Sequence, residues 1–127
     1  PFSINAFTLP SLFAGKMHAI LCRAWTIRPK GRDWYDLVWY IANDVELDSI
    51  HLKARLNQSC KYLEENNIQI PSELNKQTIK EILLQRIETL DIVKAKNDVQ
   101  PFIKDIREIE LWSKEFFVAV IENMKVR

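Results

Sequence analysis

The chain has 127 residues, of which 47 % are hydrophobic and 28 % are charged, and its formal net charge is +1. This length and composition are typical of one compact globular domain with a core of its own. A nearly neutral charge balance excludes any argument from overall charge for binding to nucleic acid or to a membrane surface. Such a function would have to come from a local cluster of charges.

The number of glycines, the length of the apolar runs and the positions of the cysteines restrict the possible fold class and cellular environment further. The glycines are Gly15 and Gly31, too few for the turns of an all-β fold. No apolar run reaches the roughly 18 residues that a membrane-spanning helix needs, so we expect no membrane partner. Cys22 and Cys60 lie in helical patterns without the spacing of a disulfide scaffold. A reducing, cytoplasmic environment is therefore expected.

The predicted fold is all-α, an irregular bundle of about five helices that forms a single helical domain over residues 1–127. The chain begins at Pro1 without a methionine, which is consistent with a fragment of a longer protein. Six apolar side chains are expected to contribute to the core. They are Phe13, Trp34, Trp39, Ile82, Trp112 and Phe116.

The first two predicted helices are joined by a basic connector. The first covers residues 11–25 and the second residues 32–43, both with apolar residues on one face at the helical period. The connector, residues 23–32, breaks at Pro29 and Gly31 and places Trp25 among four basic residues. It could contact RNA or phosphate groups, although a solvated basic loop is slightly favoured.

Further along the chain, residues 44–48 alternate like a short strand but find no second strand pattern, so a turn is predicted there. Asp48 is expected to cap a third helix that extends to about Asn66. A fourth helix is predicted from Lys76 to Leu90, a bend or short helix at residues 98–103, and a last helix carrying residues 109–121. Asp44 and Glu46 have the spacing of a metal-binding pair, but no sheet supports them.

The candidate site joins the first two helices. Lys16 and Arg23 lie on one flank of the first helix, while Asp33 and Asp36 share a face of the second with Arg32 at its edge. A lysine near a phosphate neutralises charge during transfer, and a carboxylate can orient or deprotonate a hydroxyl. The alternative is a structural ion network in a helical protein-interaction domain, which the residues alone do not exclude.

A second candidate site is a zinc site. His18 and Cys22 lie four residues apart on one helix face and could ligate zinc together with His51 and Cys60. Without a Cys-x-x-Cys partner this evidence is weak, and cysteine is more often a small core residue.

Four motifs carry a family resemblance. LFAGKMHAIL at residues 12–21 contains Lys16, and KGRDWYDL at residues 30–37 contains Arg32, Asp33 and Asp36. KAKNDVQPF at residues 94–102 and ELWSKEFF at residues 110–117 follow. Together they resemble the C-terminal helical half of the AbiEii/AbiGii toxin family of nucleotidyltransferase-like proteins, over most of the chain.

The resemblance implies a division of labour between two halves of a bacterial toxin. An N-terminal nucleotidyltransferase half would hold Mg²⁺ and a nucleoside triphosphate (NTP) through a Gly-Ser loop and an Asp-x-Asp pair. The helical half would add Lys16 as a phosphate contact and Asp33 or Asp36 as a catalytic carboxylate, with Arg32 and Arg23 binding substrate. This chain has no Gly-Ser loop and no Asp-x-Asp pair on a strand, so it is expected to hold no cofactor and to be inactive alone. The acceptor, tRNA or protein, is not specified.

Overall fold

The computed structural model describes residues 8–22, 31–58 and 60–127. It confirms the all-α class, with seven α-helices among these residues instead of about five. The α-helices are α1 (Leu9–Cys22), α2 (Gly31–Ala42), α3 (Ser49–Gln58), α4 (Lys61–Glu65), α5 (Lys76–Glu88), α6 (Ile92–Val99) and α7 (Lys114–Glu122). Two 3₁₀ turns, Gln100–Phe102 and Ile106–Ile109, lie between α6 and α7. No helix within these described ranges is long and apolar enough to cross a membrane.

Capping side chains fix where several helices begin. Asp48 accepts the backbone N–H of His51 at 3.0 Å, as predicted for the start of α3. Three further helices, α5, α6 and α7, begin at caps of the same type. These caps are Asn75, Asp91 and Ser113.

A short parallel strand pair corrects the predicted turn at residues 44–48. Strand β1 (Glu46–Leu47) pairs with β2 (Lys125–Val126), with Glu46 opposite Lys125. The Arg127 backbone N–H extends the pairing by donating to the Leu47 carbonyl at 2.9 Å. The prediction failed because the partner strand β2 has two residues at the other end of the chain, too few to carry a periodic signal.

The predicted third helix is two helices in the structure. Helix α3 ends at Gln58, and α4 begins at Lys61. Cys60, between them, is 3 % exposed and forms a disulfide with Cys22 at the end of α1. The Cys60 side chain is bonded to the end of α1, so the segment that begins at Cys60 does not continue α3.

The core lies between α1, α2, α5 and α7. Trp34, at the start of α2, is fully buried against Phe117 of α7, with 5.1 Å between the ring centroids. Phe13, Ile82 and Trp112 are buried as predicted, and Phe116 packs against the core from a partly buried position. Trp39 is the exception, because it is 46 % exposed.

Helix α1 is anchored at its carboxyl end by a buried arginine. Arg86 of α5 is 5 % exposed, and its Nε donates to the Ile20 carbonyl at 3.3 Å. The last carbonyls of a helix have no partner within that helix, so this bond satisfies one of them inside the core. This contact with α5 helps to fix the position of α1, and therefore that of Lys16.

Candidate functional site

Helices α1 and α2 bring one lysine to two carboxylates. Lys16 Nζ lies 2.9 Å from Asp33 Oδ1 and 2.9 Å from Asp36 Oδ2. Asp33 and Asp36 are three residues apart, so they lie on the same side of α2. The predicted proximity is present, and Lys16 contacts both carboxylates at once. We call Lys16, Asp33 and Asp36 the lysine–carboxylate cluster.

The two carboxylates differ in their access to solvent. The Asp33 side chain is 8 % exposed, whereas the Asp36 side chain is 44 % exposed. A buried charge needs an opposite charge beside it, and Lys16 supplies this for Asp33. Asp33 also lies in the first turn of α2, where the helix dipole favours a negative charge. Asp33 therefore holds the ammonium in place, and Asp36 is the carboxylate that a ligand can reach.

The electrostatics of the cluster keep Lys16 charged. Burial alone would lower the pKa of Lys16, but the hydrogen bonds and charges of Asp36 and Asp33 outweigh this effect and raise the pKa above the ordinary lysine value of 10.5. The ammonium is thus maintained across the physiological range. One cation facing two carboxylates leaves the cluster formally negative, so an anion reaches Lys16 only by displacing the exposed carboxylate or by arriving with a cation.

Tyr40 packs beside the cluster. Its ring stacks on Phe13 of α1 at 4.8 Å with an interplanar angle of 8°. Burial and the negative charge of Asp36 raise the pKa of Tyr40, and the charge of Lys16 partly opposes them. The stack joins α1 to α2 next to the ion pairs, which helps to fix the distance between the two helices.

The raised pKa of Lys16 predicts a pH dependence of stability. A cation that binds its proton more tightly in the folded state stabilises that state below the unfolded pKa, and the contribution is lost as pH rises through the folded pKa. We expect the difference in unfolding free energy between the native chain and Lys16→Met to stay constant from pH 7 to about 10 and then to shrink. Urea unfolding at a series of alkaline pH values measures it. A difference that grows above pH 10 would contradict the assignment.

The predicted substrate-binding arginines are placed differently. The Arg32 guanidinium lies over the ring of Phe102, 4.4 Å from its centroid. Arg23 lies outside the described residues, as do Trp25 and the rest of the basic connector up to residue 30. The structure therefore places Arg32 in a cation–π contact on the exposed side of α2 and does not test the position of Arg23.

Exposed apolar side chains lie near the cluster on both helices. Leu12 lies one helical turn before Lys16 and is 42 % exposed, and Trp39 lies three residues after Asp36. The prediction of a core position for Trp39 is wrong because α2 buries its opposite side through Trp34 and Leu37. Among residues 8–22, 31–58 and 60–127, no side chain covers Asp36 or Trp39 on this face of α2 completely.

The disulfide between Cys22 and Cys60 rules out the predicted zinc set. Both sulfur atoms are in the covalent bond, and His51 Nε2 accepts a hydrogen bond from Arg55 Nε at 3.1 Å. No group of three or more His, Cys, Asp or Glu side chains in the described ranges could hold a metal ion. This bond disagrees with the reducing environment that the cysteine spacing predicted, because disulfides are rare in such an environment.

Sequence reasoning missed two contacts that position α2. One is the cation–π contact of Arg32 with Phe102. The basic and aromatic residues near position 102 could have indicated a contact of this kind. The other is the close approach of Gly31 to α6. A Cβ on Gly31 would lie 2.0 Å from the Ala95 carbonyl oxygen. Because glycine is rare in this chain, the presence of Gly31 could have indicated a close backbone contact at this position.

A comparison with known protein families identifies a match. The family model described as nucleotidyl transferase AbiEii toxin, type IV TA (toxin–antitoxin) system, matches residues 1–120. No match was found among curated proteins or among solved structures. The matched range includes the lysine–carboxylate cluster, both 3₁₀ turns and most of α7.

Proposed function

The chain belongs to the AbiEii nucleotidyl transferase toxin family, and from this premise we propose that it forms the helical wall of a nucleotide-binding cleft. The observation that carries the proposal is the lysine–carboxylate cluster. Lys16 is held by the buried Asp33, while Asp36 on the same side of α2 faces solvent. This arrangement offers one positioned cation and one accessible carboxylate to a substrate.

Lys16 is proposed to contact a phosphate of the NTP. An ammonium has three N–H donors, and the two ion pairs account for two of them. The third would donate to a phosphate oxygen, and a fixed cation stabilises the charge that develops on a transferring phosphoryl group. Asp33 acts through Lys16 as a positioning residue.

Asp36 is proposed to orient the acceptor hydroxyl and accept its proton. A carboxylate with nearly half of its surface exposed can come within hydrogen-bond distance of an incoming hydroxyl. The acceptor would be a hydroxyl of tRNA or of a protein. Arg32 would support the substrate from the exposed side of α2, and Arg23 from the connector.

The metal ions are proposed to come with another part of the complete protein. The residues described here do not fit a two-metal centre, because no group of three metal-ligating side chains is present among them. A preceding nucleotidyltransferase half would supply those carboxylates and cover the face of α2 that carries Asp36 and Trp39. We propose a cytoplasmic protein opposed by an antitoxin, as the family description of a toxin–antitoxin system implies.

The alternative function is a helical interaction domain in which the cluster is purely structural. Burial of Asp33 favours a structural role for that one residue. Exposure of Asp36 does not, because an exposed ion pair contributes only about 0–1 kcal/mol to stability. The two readings therefore differ in what they predict for Asp36.

Binding of MgATP by this chain alone tests the phosphate contact. Without a second wall the site is open and screened, so we expect binding no tighter than about millimolar, weakened further by salt. Chemical shifts of Lys16, Asp36 and Arg32 should move in an NMR titration, and less in the Lys16→Met variant. No nucleotidyl transfer should occur. Shifts confined to α3, or none at several millimolar MgATP, would count against a nucleotide role.

A further inference from the structure

The Cys22–Cys60 disulfide joins two parts of the chain that lie 38 residues apart in sequence. Cys22 is the last residue of α1, and Cys60 comes directly before α4. Their Cα atoms are 4.8 Å apart, within the range that a disulfide spans. The bond therefore fastens the entry of α4 to the carboxyl end of α1.

Besides the disulfide, the described apolar side chains that hold α4 and the residues after it are the buried Leu63 and the partly buried Ile68 and Ile70. Helix α4 is five residues long, and an isolated helix of that length is unstable in water. Leu63 is its buried apolar anchor, at 2 % exposure, and the Leu63 carbonyl accepts the Ile68 N–H at 2.9 Å. By contrast, α1 remains tied to the core through its own buried face and through Arg86.

We propose that Cys22–Cys60 is a reversible, redox-sensitive latch that holds α4 on α1, and that its reduction frees residues 60–70 while the rest of the fold stays intact. The inference rests on the proposed cytoplasmic location for its biological meaning, because disulfides in that compartment are usually transient and redox-sensing. The physical latch itself does not depend on the nucleotide chemistry.

The reaction that sets the latch is thiol–disulfide exchange with a low-molecular-weight disulfide such as glutathione disulfide. The two cysteine thiols lose two protons and two electrons, and one S–S bond forms between them. The disulfide reagent gains the two protons and the two electrons and leaves as two thiols. The reaction passes through a mixed disulfide between one cysteine and the reagent. Both cysteines are buried in the oxidised chain, and on reduction Cys60 lies in the freed segment, so Cys60 is the better placed to carry the mixed disulfide.

Hydrogen exchange of the oxidised and reduced chain tests the latch. We expect unreduced peptide mapping to find the Cys22–Cys60 cross-link after treatment with glutathione disulfide. On reduction, amides in residues 60–70 should exchange about tenfold faster or more, while those of α5 stay unchanged. Reoxidation should restore the slow exchange. The Cys22→Ala/Cys60→Ala variant is the control, and it should show the fast pattern under both conditions.

Three results would overturn the latch. The first is two thiols that remain free to alkylation after oxidation. The second is a cross-link whose reduction leaves exchange in residues 60–70 unchanged. The third is reduction that accelerates exchange throughout α1, α2 and α5, which would make the bond a global staple. Nucleotide binding by the oxidised chain is measured separately, so failure of the proposed function leaves these outcomes unaffected.

Discussion

Gly31→Ala is expected to destabilise the chain by about 3 kcal/mol, at the upper end of what overpacking costs. The added Cβ would lie 2.0 Å from the Ala95 carbonyl oxygen and 2.9 Å from its carbonyl carbon. These are backbone atoms inside α6, where Ala95 is fully buried, so they cannot turn away as a flexible side chain could. The first turn of α2, which carries Asp33, would have to move.

Gly15→Ala is the matched control for this prediction. Its Cβ would meet Arg55 Cζ at 3.8 Å, an ordinary van der Waals contact with a flexible side chain. Alanine is favoured over glycine inside a helix by about 1 kcal/mol, so this variant should be unchanged or more stable. Urea unfolding followed by circular dichroism compares the two. Equal effects of both substitutions would show that the contact between α2 and α6 is not as tight as described.

The lysine–carboxylate cluster could be predicted from the sequence because its geometry is local. Helical periodicity places Asp33 and Asp36 on one side of α2, and a short connector keeps α1 and α2 adjacent. The difference in burial between the two carboxylates could not be predicted in the same way. It depends on how deeply α1 packs against the start of α2, which is a property of the whole core.

Other features could not be predicted from the sequence because they join segments that are far apart in the chain. The pairing of β1 with β2 and the disulfide each bring together residues far apart in the chain. Helix α6 was missed for a different reason. The segment 92–99 is short and contains two lysines, so its helical pattern is weak. The helix is stabilised by its Asp91 cap and by the packing of Ala95 against α2. Trp39 shows that a large aromatic residue in an amphipathic helix need not face the core.

Lys16→Met and Asp36→Asn are expected to differ in stability but to agree in their effect on activity. Lys16→Met leaves Asp33 buried without its cation, which should cost up to about 3 kcal/mol, near the lower end for a broken buried ion pair. Asp36 is exposed, so Asp36→Asn should change stability by less than about 1 kcal/mol. Both should abolish nucleotidyl transfer by the complete protein.

Asp36→Asn is the sharper of the two variants because any loss of activity cannot be ascribed to unfolding. Removal of a catalytic carboxylate typically costs about 100-fold to 10,000-fold in rate. Asp44→Asn removes another exposed carboxylate, which lies beyond the end of α2 and pairs with Lys125 at 3.2 Å, not with Lys16. It should leave transfer unchanged and serves as the matched control.

The most direct measurement is radiolabel transfer from an NTP by the complete protein, compared among the native sequence, Asp36→Asn and Asp44→Asn. The account predicts that Asp36→Asn lowers the rate by about 100-fold or more with an unchanged melting temperature, while Asp44→Asn keeps the native rate. Transfer by Asp36→Asn within a few-fold of the native rate would contradict a catalytic role for the carboxylate. The cluster would then be a structural contact between α1 and α2.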